Sequence, residues 1–231
     1  MVKMFYNMRT LTMILITMVG ILNFTACSSL YSPTKGVSYG DLSDIRKIAV
    51  LPLDRARIKP GQDKATCALV DTVYDVSEVP KEASLALSDV LWGLLKNKSR
   101  FFPVPEGQCI GFLNAIIESD VKASQIRLIQ AFGKELGADA VLYGIIYRYR
   151  ERQGKDYSVE RPASVAFALY LIRVRDGKVL WQYNFDETQR PLTSNLFKFK
   201  LFKEAGMKWV TARKLGEIGL KRAVDDLLKR F

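Results

Sequence analysis

Asp176-Gly177 stands between two runs of strand-forming residues, Ser164 to Arg175 and Lys178 to Asp186, and restricts the path of the chain more than any other pair in it. A type I′ turn needs positive φ at both central positions, which Asp-Gly tolerates, so the pattern predicts a tight two-residue hairpin. That turn sets Arg175 opposite Lys178, Ile172 opposite Trp181, Tyr170 opposite Tyr183 and Ala168 opposite Phe185. One face then holds Ala166, Ala168, Tyr170 and Ile172 against Phe185, Tyr183, Trp181 and Val179, small beside large, and is the predicted core face. The other carries Phe167, Leu169, Leu171 and Arg173 against Asp186, Asn184, Gln182 and Leu180. Its aromatic and aliphatic row predicts cover by a helix in preference to use as a docking surface.

Elements before and after the hairpin supply the layers. Lys47 to Leu53 is a short apolar run containing Pro52, the pattern of a strand buried on both faces. Residues 54–79 have mixed charge and no period, and read as a long loop or partly helical insertion. Pro80 suits a helix start, and Leu87, Val90, Leu91, Leu94 and Leu95 fall on one side of the segment that follows. Phe101 to Val104 reads as a short strand. Asp120 is the expected cap of a helix running to Leu136, with Gly137 ending it in a left-handed conformation. Ala140 to Arg150 is a further strand. After a Phe- and Lys-rich stretch from Leu196 to Ala205 and a turn at 206–209, Thr211 caps a last helix whose Leu220, Val224, Leu227 and Phe231 form a stripe. The expected fold class is α/β (α+β): a mixed, mainly antiparallel sheet of about four to five strands with helices packed on it, in one domain from 45 to 231.

The amino terminus is of another kind. Lys3 and Arg9 precede an apolar run from Leu11 to Leu22, and Thr25-Ala26 places small residues before Cys27. This is the plan of an export signal, and the run is too short to span a bilayer. The segment resembles the lipobox of bacterial lipoproteins, with Phe24 where Leu is usual. The resemblance implies a signal peptide over 1–26, cleavage between Ala26 and Cys27, and acylation of Cys27, whose lipid would anchor the chain to a membrane. Ser28 and Ser29, in place of Asp, imply by the same likeness an outer-membrane location with the body facing the periplasm. Residues 27–44, rich in Ser, Gly and turn formers, read as a lipidated flexible tether.

Composition narrows the chemistry. The chain has no histidine, which removes imidazole-based triads and almost all zinc sites. No phosphate-binding glycine loop occurs, and no Ser-x-x-Lys stands at a helix start. Asp186 and Glu187 are adjacent on an extended segment and so point to opposite sides, a poor basis for a carboxylate-dependent cell-wall hydrolase. No catalytic residue, metal or cofactor is therefore assigned. Cys67 and Cys109 remain once Cys27 is acylated; an export compartment would allow them to pair, and two buried free thiols are an equal reading. The formal charge of +11 favours acidic partners, and an exported chain has little access to nucleic acid. Arg148, Arg150 and Arg152 alternate on a strand near Arg161, which makes them a candidate patch for a partner or a phosphate, or else a solvated edge that deters aggregation. Tyr143, Tyr147 and Tyr149 alternate on the other side, as packing residues.

The order strand with Leu-Pro-Leu, helix, short strand, helix into Gly-Ala-Asp at 137–139, then a hairpin with Asp-Gly-Lys-Val-Leu-Trp at 176–181 resembles a superfamily. It contains the TolB amino-terminal domain, the LpoB activator of penicillin-binding proteins and the periplasmic body of the curli secretion protein CsgG. Pro-Ala-Ser-Val-Ala-Phe at 162–167, Phe-Asp-Glu-Thr-Gln at 185–189 and Trp209 are similar to a narrower group of lipoproteins. The likeness implies a binding, assembly or regulatory module for an envelope protein complex, without enzymatic activity. A CsgG-like secretion role would need long membrane hairpins, and the connection from Glu151 to Arg161 is too short and too charged to supply them. The identity of the envelope partner and the oligomeric state are not encoded in these motifs.

Overall fold

The computed structural model describes residues 35–67, 69–70, 72–109, 124–154, 159–189 and 209–231. Its elements in chain order are β1 (Lys35–Ser38), β2 (Ile48–Val50), β3 (Asp54–Arg55), β4 (Lys64–Thr66), β5 (Val73–Asp75), α1 (Lys81–Leu95), β6 (Phe101–Pro103), α2 (Gln125–Glu135), β7 (Ala140–Arg150), β8 (Gln153–Gly154), β9 (Val159–Arg161), β10 (Ser164–Arg173), β11 (Val179–Thr188) and α3 (Ala212–Leu228). The main sheet has seven strands, more than the sequence suggests, in the order β1-β11-β10-β7-β2-β6 with β3 also on β7. β7, β10, β11 and β1 are antiparallel neighbours, while β2 runs parallel to β6 and β7. The fold is thus mixed α+β with a mainly antiparallel sheet, as the hairpin pattern implied.

The Asp-Gly turn forms, but in a longer loop. Residues 174–177 make the connection: Arg173 N donates to Lys178 O and Gly177 N to Arg173 O, both at 2.9 Å. Gly177 has φ of 70°, where a Cβ is strained. The Asp176 carboxylate organises the loop by accepting from Lys178 N and from the Arg173 guanidinium. A bulge then lies between Leu171 and Ile172. Together these move the register, so that Leu171 faces Trp181, Leu169 faces Tyr183, Phe167 faces Phe185 and Ile172 faces Val179. The expected pairing of small against large residues is therefore wrong. A one-residue slip exchanges the face of every side chain, and here it puts Phe167, Leu169, Leu171, Trp181, Tyr183 and Phe185 together in one core, leaving Ala166, Ala168, Tyr170 and Ile172 in the other. Both faces are covered.

On the aromatic face lie α1 and α3. α1 begins after Pro80 and buries Leu87, Leu91 and Leu95; α3 begins after Thr211, whose hydroxyl accepts from Lys214 N at 3.2 Å. Glu151, just beyond β7, accepts from Ala212 N at 2.9 Å, so the end of a central strand caps the same helix. Gly219 lets α3 approach the sheet closely: a Cβ there would stand 2.8 Å from the rings of Phe167 and Phe185. Phe231 does not continue the helical stripe. It lies past the end of α3, 37% exposed, with the Arg100 guanidinium 4.9 Å from its ring centre.

On the opposite face lie α2 and the β4–β5 hairpin, the latter replacing the loop or helical insertion expected over 54–79. α2 starts at Gln125 with Ser124 as cap, accepting from Arg127 N; Asp120, the expected cap, lies outside the described residues. Gly137 has the anticipated positive φ, at 57°. The stretch from Leu196 to Ala205 and most of the turn after it also lie outside the described residues. Folding begins before the expected boundary at 45. β1 pairs with β11 from Lys35 to Ser38, Leu42 is buried, and Arg230 donates to Gly36 O at 3.1 Å.

Candidate functional site

A cavity of about 480 Å³ opens on the face covered by α2 and the β4–β5 hairpin. Its walls come from elements distant in sequence. Leu51, Asp54, Arg55, Ala56 and Arg57 follow β2; Ala65, Thr66 and Cys67 belong to the hairpin; Leu128, Ile129 and Phe132 come from α2, and Tyr143, Ile145 and Tyr147 from β7. The spacing of two residues in β7 turns those three side chains to one side of the sheet. A bulge between β7 and β10, where Ala166 faces Arg148 but Phe167 faces Ile146, ends that regular alternation just at Tyr147.

Most polar tips around the cavity are paired. Tyr143 Oη donates to Asp54 Oδ2 at 3.1 Å and accepts from Gln125 Nε2 at 2.6 Å. Cys67 Sγ lies 3.1 Å from Tyr170 Oη. Tyr74 stacks face to face on Tyr147, with ring centres 3.9 Å apart, and donates to Asn184 Oδ1 at 2.7 Å. Tyr147 itself is 2% exposed, and its hydroxyl is buried near Cys67 and Tyr170 without a hydrogen bond of good geometry among the described residues. Burial raises Tyr74, Tyr143, Tyr147 and Tyr170 above the ordinary phenol range, so all four stay protonated. Burial, helped by the Glu106 charge, also lifts the Cys109 thiol to about 11. Such a thiol is mostly protonated at neutral pH and a weak nucleophile.

The residues singled out in the sequence are scattered. Ala26 and Cys27 lie outside the described residues. Cys67 and Cys109 are free thiols, and both line the cavity. The arginine ladder does not form as expected, since Arg148 is 4% exposed. It donates to Ser164 Oγ at 2.7 Å and to Asp75 O at 3.1 Å, and pairs with Asp186. The cause is the bulge, which turns Arg148 toward the same covered face as Tyr147. Arg150 and Arg161 are exposed and Arg152 is half-buried, so only these remain near one another at the end of β7 and in the β8–β9 hairpin. The three tyrosines expected on one side also divide: Tyr143 and Tyr147 join the cavity face, and Tyr149 packs with the aromatic one. Asp186 and Glu187 lie opposite Ala166 and Val165 on β10, on opposite sides of the sheet.

The sequence reading missed the cavity. Tyr143 and Tyr147 were its one visible signal, because two phenols at alternate positions of a buried strand each need a polar partner. Among the described residues no cluster of three or more His, Cys, Asp or Glu side chains is placed to hold a metal ion, and no helix is long and apolar enough to cross a membrane. The described strands β8 and β9, where a membrane hairpin would be inserted, are short.

No protein-family model matches the chain, and no curated protein matches it. Solved structures similar to it include the PelC dodecamer from Paraburkholderia phytofirmans, at 13% identity and a TM-score of 0.46, with 82% of this chain and 91% of that one covered. The LpoB C-terminal domain from Salmonella enterica is similar at 12% identity and a TM-score of 0.37, covering 63% and 84%. The lipoprotein GNA1162 from Neisseria meningitidis is similar at 16% identity and 0.38, covering 70% and 96%.

Proposed function

We propose that the protein is an outer-membrane lipoprotein, acylated at Cys27 and facing the periplasm, whose α+β body binds an envelope protein and assists or regulates its assembly without catalysing a reaction. The observation that carries this reading is the basic start, the apolar run and Thr25-Ala26-Cys27, which together suit export and lipid attachment. Supporting it, the described chain enters the body as edge strand β1, pinned by Arg230 at Gly36 O, so the sheet edge is a firm point of attachment for a preceding tether. Exposed Arg150 and Arg161 supply the docking patch for an acidic surface.

Mass spectrometry of the mature amino terminus tests the first half: acylated Cys27 is expected, and Cys27→Ala should release the protein from the membrane. Cross-linking in intact envelopes tests the second. One specific partner should be captured, and its yield should fall in an Arg150→Glu, Arg161→Glu variant that keeps its fold. Capture that is indifferent to these charges, or none at all, overturns the binding role.

A further inference from the structure

The cavity beneath α2 has no part in the lipoprotein reading, and its chemistry changes from wall to mouth. Its volume of about 480 Å³ falls within the usual range for small-molecule pockets. Ile129, Phe132 and Ile145, all buried, make the inner wall apolar. The mouth is charged. Arg55 and Arg57 line it and are exposed, whereas Ala56 between them is half-buried and packs, with Ile58, on the core of this face. That alternation turns both arginines to one side, where their stems extend the apolar wall and their guanidinium groups stay in water. The backbone beneath them is fixed to the sheet, since β3 pairs with β7 and Ala56 N donates to Ile146 O at 2.9 Å.

We propose that this cavity binds a single-chain fatty acid, with the hydrocarbon chain against Ile129, Phe132 and Ile145 and the carboxylate at the mouth beside Arg55 and Arg57. Burial of the chain supplies the affinity, and the head group keeps part of its hydration, so no charge is taken into the apolar interior. A guanidinium fork matches a carboxylate. Arg55 spends one donor on Val79 O at 3.3 Å and has others left. Asp54, the acidic residue of the mouth, is held within the chain: its Oδ1 accepts from Arg55 N at 2.7 Å and its Oδ2 from Tyr143 Oη at 3.1 Å. Glu106, whose charge is felt at the lining Cys109, pairs with Lys81 at 3.6 Å. Asp54 against two arginines leaves one positive charge on the lining, which a monoanion balances and a phosphate dianion exceeds.

Photolabelling tests this on the full-length chain in phospholipid nanodiscs. Decanoate carrying a diazirine at its chain end is irradiated with the protein, and labelled residues are mapped by mass spectrometry. Saturable labelling of Ile129, Phe132 or Ile145 is expected. Decanoate should compete better than 1-decanol, decyl phosphate or decyltrimethylammonium, and better than octanoate by about fourfold for each added methylene. In the Arg55→Gln, Arg57→Gln variant, competition by decanoate should weaken about three- to thirtyfold, the effect of two partly solvated ion pairs, while competition by 1-decanol is unchanged. Unchanged competition by the alcohol also shows that the variant keeps its fold. The proposal is overturned if the three inner residues are not labelled saturably, if the alcohol, the phosphate or the cation competes as well as decanoate, or if the arginine variant competes like wild type. Cys27→Ala should give the same labelling, so the result stands apart from lipid attachment.

Discussion

The two faces of the sheet are buried by different means. On one, two helices press onto Phe167, Leu169, Leu171, Trp181 and Phe185, and glycines in α3 remove the side chains that would hold the layers apart: Gly216 abuts Leu87 and Gly219 abuts the Phe167 and Phe185 rings. On the other, one helix and a small hairpin cover a layer rich in tyrosine, whose hydroxyls need partners, and a cavity remains between them. Close packing tolerates little change in volume, whereas a face that encloses a cavity can exchange contents. The contrast separates a closely packed part of the molecule from a part that encloses open space.

Truncation should break the comparison most sharply. Phe167→Ala, on the packed face, is expected to cost about 3–5 kcal/mol in urea denaturation, whereas Ile145→Ala, beside existing space, should cost about 2 kcal/mol, the low end for its type. Equal losses would mean that the cavity wall bears as much as the packed core. Next in size is overpacking. Gly219→Ala places a methyl group 2.8 Å from two phenyl rings and should lower stability by about 1–3 kcal/mol, measured the same way.

A smaller effect distinguishes the latch at the sheet edge. Burial opposes ionisation of Asp226, but hydrogen bonds from Arg230 and Trp181, with the Arg230 charge, outweigh it and hold the carboxyl below its usual range. A carboxyl depressed on folding contributes stability above its unfolded pKa of about 3.9, and that contribution is lost as pH falls toward the folded value. Denaturation midpoints at pH 5 and pH 3 should therefore show wild type losing more stability than Asp226→Asn. Smallest of all is a change at the cavity rim, where half-buried Ala56→Leu should stay within about 0.5 kcal/mol of wild type in thermal denaturation.

Much of the framework is legible in the sequence because it is written in local patterns. Ala140–Arg150 appears with the same limits in the structure, Pro80 and Thr211 mark helix starts, and Gly137 ends α2. Register was not legible. Asp-Gly suits a two-residue turn and a longer loop alike, and bulges beside Leu171 and at Tyr147 follow from how neighbouring strands fit. The cavity was less legible still, since Tyr147 and Cys67 look like ordinary core residues until the hairpin at 64–75 is folded onto β7.

By itself, then, the sequence determined the long strand at 140–150, the helix starts at Pro80 and Thr211, the absence of imidazole chemistry and the expectation of an acylated Cys27, because each depends on residue identity or on neighbours a few positions apart. Only the tertiary structure decided which face each hairpin side chain takes, that Arg148 is consumed by Asp186, and that Tyr147 stacks on Tyr74 beside an open volume. Those outcomes depend on contacts between segments far apart in the chain, where one residue of slip at a bulge reverses the environment of a whole row.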